Sequence, residues 1–93
     1  MSEKTAASLA QIDALIPLLT SMPAGPEREE IVEEAQSLRR AIAAFHMEAI
    51  RFRMFNVERL LQRRGDNAAQ AVFDKLRHEL ETAGFHTRSH SAP

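Results

Sequence analysis

Catalytic chemistry would need a nucleophile beside a base, paired carboxylates in a pocket, or a metal with an open position, and the 93 residues include no Cys. That composition excludes a thiol nucleophile, a thiolate metal site and a disulfide framework. His78-Glu79-Leu80-Glu81-Thr82 opens like the zinc-protease helix, but Thr82 stands where the second metal-binding His is required. His86 and His90 have the spacing of a metal pair on a helix, with no nearby acid to complete a ligand set. The three glycines all fall at turns or helix ends, so no glycine-rich loop cradles a phosphate. No catalytic, cofactor-binding or metal-ligating residue is legible, and the expectation is a protein that is not an enzyme and carries no cofactor.

The next chemistry to consider is cationic. Arg51, Arg59, Arg63 and Arg64 crowd the later part of one helical stretch and are candidate phosphate contacts. Against a nucleic-acid role, the net charge is -1, Trp and Tyr are absent, and no helix-turn-helix pair is visible. A small dimeric nucleic-acid binder is therefore the alternative reading.

The favoured reading rests on surplus apolar surface. Phe45, Met47, Ile50, Phe52, Met54 and Phe55, with His46 and Arg53 among them, form the candidate surface for a dimer partner or another protein. Flexible Met and unburied Phe suit a surface that accepts a helix. The expected function is a non-catalytic regulator, adaptor or chaperone acting as a homodimer.

Three helices are expected to position these residues. Leu9, Ile12, Ile16 and Leu19 recur at helical spacing over 3–22, with Pro17 kinking or dividing that helix near Ile16. Pro23, Gly25 and Pro26 mark a turn, and Pro26 is well placed as the first residue of the next helix. From there no Pro, Gly or turn cluster interrupts 26–64, which reads as one long helix closed by Gly65. Asp66 caps a short third helix over 67–83, with the stripe Ala69, Val72, Phe73, Leu76, Leu80 and Ala83. Within it, Asp74 with His78 and Arg77 with Glu81 read as solvent-side pairs. Residues 1–84 form one helical domain and 85–93 a mobile tail.

A helix over 27–64 is roughly 57 Å long. A compact monomer of this size has a radius of gyration of roughly 12 Å. The mismatch is the ground for expecting an antiparallel homodimeric bundle; the competing arrangement is a three-helix monomer, and a compact monomer would require the long helix to break near Ala43 and Ala44 and fold back on itself. The long helix also carries two apolar seams: Ile31, Ala35, Leu38, Ile42, Phe45, Ala49, Phe52 and Leu60, then Ala43, Met47, Ile50, Met54, Val57 and Leu61. Two copies crossing near His46 would set Glu29 opposite Arg63 and Glu33 opposite Arg59, although Arg39 would meet Arg53. His46 itself is read as a structural residue in preference to a pH switch. No stretch is long and apolar enough for a membrane span, and no basic-then-apolar leader is visible, so a soluble cytoplasmic protein is expected.

Overall fold

Four helices follow one another in the computed structural model, which describes residues 3–87: α1 (Glu3–Thr20), α2 (Pro26–Ala43), α3 (Met47–Arg64) and α4 (Asn67–Thr82). No strand occurs among the described residues, so the all-α class stands. The arrangement of the helices differs from the expectation at three places.

The first is Pro17. Helix α1 runs through it without dividing near Ile16. A proline removes one donor, the one that would have reached the Asp13 carbonyl, and the loss is tolerated so near the helix end. The Pro17 carbonyl itself is well used: it accepts from Ser21 N–H at 3.1 Å, Ser21 Oγ at 2.9 Å and Thr20 Oγ1 at 3.0 Å. The inner face of α1 buries Leu9, Ile12, Leu15 and Leu19.

The second is the centre of the chain. The single helix over 26–64 is in fact two, α2 and α3, folded back on each other around residues 44–46. Phe45 takes a left-handed conformation at φ 61°, and the N–H of His46 reaches the Ala41 carbonyl at 3.0 Å while Phe45 N–H reaches Ile42 at 3.1 Å. These two bonds form a Schellman motif that satisfies carbonyls at the end of α2. His46 then starts α3, its Nδ1 accepting from Ala49 N–H at 3.2 Å, as an N-cap side chain does. The physical reason for the break is burial on two faces. Seam one supplies the inner face of α2 through Ile31, Ala35, Leu38 and Ile42, and seam two that of α3 through Ile50, Met54, Val57 and Leu61. One straight helix cannot turn both seams toward the same core, whereas a hairpin can.

Folding back also removes the conflict of length. Helices of this size span about 27 Å, and the chain has a radius of gyration of 12.4 Å within extents of 34 × 33 × 19 Å. Helix α1 packs along α2 and α4, α2 packs along α3, and α3 meets α4 only sparsely. The common core includes Ile12, Leu38, Ile42, Ile50, Met54, Phe73, Leu76 and Leu80, each fully buried. Burying a side chain of this size contributes about 1.5–3 kcal/mol.

The third is the tail. Gly84, at φ 98°, ends α4 in a second Schellman motif, with Phe85 N–H bonded to the Leu80 carbonyl at 2.9 Å and Gly84 N–H to Glu81 at 3.0 Å. Beyond it, Phe85 and Thr87 are buried. The expected mobile tail therefore does not begin at 85: the turn throws Phe85 back onto the bundle, where apolar burial holds it. Residues 88–93, with His90, lie outside the described residues.

Candidate interaction surface

The hairpin of α2 and α3 is fastened by charge. Glu34 accepts from Arg53 Nη1 at 3.0 Å through both carboxylate oxygens and from Asn56 Nδ2 at 3.0 Å. Nearer the open end, Arg64 lies 3.9 Å from Glu27. Antiparallel charge pairs thus occur within one chain, Glu34 with Arg53 and Glu27 with Arg64, where Glu33 with Arg59 and Glu29 with Arg63 are expected between two copies. Arg39 and Arg53 do not oppose each other. Arg39 turns the other way and grips Asp13 of α1 through both carboxylate oxygens, at 2.6 and 3.2 Å. Hydrogen bonding from Arg39 holds the Asp13 carboxyl below its ordinary value of 3.8.

This frame separates the residues expected to share a surface. Ile50 and Met54 point into the core. Arg53 is engaged by Glu34, with its guanidinium 5.2 Å from the Phe52 ring centroid. His46 is exposed and acts as the cap of α3. Phe45, Met47, Phe52 and Phe55 remain on the outside. Phe45 has a neighbour, since its ring meets Phe85 edge-on with centroids 5.0 Å apart. Phe52 and Phe55, 57% and 48% exposed, point away from the core. Turned at ~100° per residue, Phe52, Phe55, Glu48 and Arg59 fall within about 60° of one another, opposite the buried line of Ile50, Met54, Val57 and Leu61.

The candidate phosphate-binding arginines do not gather on one face. Arg51, Arg59, Arg63 and Arg64 spread over about 220° of the helix circumference. Arg51 binds Glu48 at 3.2 Å and Arg64 is close to Glu27, whereas Arg59 and Arg63 are exposed.

A feature that sequence reasoning missed lies between α3 and α4. Arg77 is buried, not a solvent-side partner of Glu81. Its guanidinium meets Glu58 at 2.8 Å, donates to the Thr87 carbonyl at 3.0 Å and to Thr87 Oγ1 at 2.8 Å, and lies 5.3 Å from the Phe73 ring centroid. Thr87 Oγ1 in turn donates to Glu81 at 3.0 Å. The available signal was position: Arg77 follows Phe73 by four residues and precedes Leu80 by three, which sets it on the buried face. The cleft here, lined by Glu58, Asp74, Arg77, His78 and Glu81, is polar, but its carboxylates at 58 and 81 already serve this network. No group of His and acidic residues able to hold a metal occurs among the described residues, and no described helix is long and apolar enough to cross a membrane.

Compared with protein families, curated proteins and solved structures, the chain matches none.

Proposed function

We propose that this protein is a non-catalytic interaction module, a regulator, adaptor or chaperone, that presents the outer face of α3 to a partner chain. The observation that supports this reading is the exposure of Phe52 and Phe55 on a helix whose opposite face already fills the core. Two Phe side chains held in water gain free energy when a partner covers them, about 25 cal/mol for each Å² removed. An amphipathic helix meeting such a ridge is a common mode of recognition. In the polar cleft between α3 and α4, Arg77, Glu58, Thr87 and Glu81 are engaged with one another.

The experiment is affinity capture by immobilised wild-type protein and by the double variant Phe52→Ser with Phe55→Ser, both checked for helicity. Partners retained by the wild type and lost with the variant support the reading. Identical recoveries from both would contradict it.

A further inference from the structure

The outer face of α3 is complementary to itself. Its residues run Glu48, Phe52, Phe55, Arg59, spaced four, three and four apart, which is the spacing of a two-residue-per-heptad helical seam. Laid antiparallel against a second copy of the same helix, with the two-fold axis between positions 53 and 54, Phe52 faces the other copy's Phe55 and Glu48 faces its Arg59. Both contacts occur twice by symmetry, as a closed two-fold interface requires. A parallel arrangement would set like charges against each other at both ends.

We propose that α3 pairs antiparallel with α3 of a second copy through Glu48, Phe52, Phe55 and Arg59, so that the partner of the exposed ridge is this chain itself. This rests on the reading of the α3 face as an interaction surface and names its occupant. The charged ends are free to act: Arg59 makes no ion pair among the described residues, and the Glu48 side chain is 78% exposed despite its contact with Arg51. The patch is small beside the ~800 Å² per partner of a standard interface. The pairing is therefore weak and builds up with concentration.

The test uses two surface substitutions, Glu48→Arg and Arg59→Glu, in separate full-length proteins, with mass followed by sedimentation over a concentration series and folding checked by circular dichroism. Each variant alone brings like charges together twice, and self-association should weaken at least tenfold relative to wild type. In an equimolar mixture the arginine placed at 48 meets the carboxylate placed at 59, and association should return to near the wild-type level. A mixture no stronger than either variant overturns the antiparallel register. A dimer that neither substitution weakens shows a different contact, such as exchange of helices through an opened turn at 44–46, and overturns the proposed face. A wild type that stays monomeric throughout overturns the second copy as occupant, while the capture experiment with the Phe52 and Phe55 variant judges the α3 surface separately. Mass that rises only on addition of an oligonucleotide likewise overturns it, in favour of nucleic acid.

Discussion

Arg77 of α4 and Glu58 of α3 meet at 2.8 Å, and theirs is an ion pair joining two helices that otherwise touch little. The arginine side chain is 7% exposed and the glutamate 30%, so the pair is only partly shielded from water. Because Arg77 also holds Thr87 at two atoms, it fastens the chain beyond α4 to the bundle.

Arg77→Ala should destabilise the fold by ~2 kcal/mol, below the 3–5 kcal/mol typical of breaking a fully buried pair. Arg77→Lys should recover only part of the loss, because an ammonium cannot reproduce the forked contacts. Urea denaturation measures both, and hydrogen exchange at Phe85 and Thr87 should rise in Arg77→Ala.

Phe45 occupies a left-handed position where glycine serves at the ends of α3 and α4. Left-handed geometry costs an L-residue roughly 1–2 kcal/mol, offset here by the contact with Phe85. Phe45→Ala keeps the strain and loses the ring, so it should cost ~1–2 kcal/mol. Phe45→Gly loses the ring and relieves the strain, and should be the more stable of the two. Gly65→Ala, where an added Cβ meets nothing within 4 Å, should cost ~1 kcal/mol from torsion alone. Thermal melts rank all three.

The two faces of α3 should respond oppositely to truncation. Met54→Ala, at a fully buried position, should cost ~2–5 kcal/mol. Phe52→Ser and Phe55→Ser should each change monomer stability by less than ~0.5 kcal/mol, as surface substitutions do. Denaturation at low protein concentration separates these outcomes.

The Asp13 and Arg39 pair makes a pH-dependent contribution. Since the folded state lowers the Asp13 pKa, its stabilisation is present above the ordinary value of 3.8 and is lost as pH falls through the lower folded value. Asp13→Asn should therefore be less stable than wild type near neutrality, and the difference should close on acidification below that value. Denaturation midpoints of both proteins from pH 7 to pH 2 follow the convergence.

Much of this fold was legible because helix ends carry chemical signals. Pro26, Gly65, Asp66 and Gly84 mark boundaries that the structure places within a residue or two of expectation. The break near Ala43 and Ala44 belongs to the competing reading and no local signal favours it, because a Phe fills the left-handed position and a His supplies the cap, and neither type announces those roles. Its trace lay in the change of apolar seam between Ile42 and Ile50. The charge asymmetry over 27–64 reads as a sign of two crossed copies, whereas here oppositely charged residues of α2 and α3 meet within one chain, and complementarity alone does not distinguish the two. The exposed face followed from the break: on one continuous helix Phe52 belonged to an inner seam, whereas on α3 it points outward beside Phe55.

The most direct measurement is solution mass by light scattering, taken over a concentration series for the wild type and for Phe52→Ser combined with Phe55→Ser. The wild type should move from monomer toward dimer as concentration rises while the folded variant stays monomeric. A wild type that remains monomeric at every concentration, or a dimer that the paired substitution leaves intact, would contradict it.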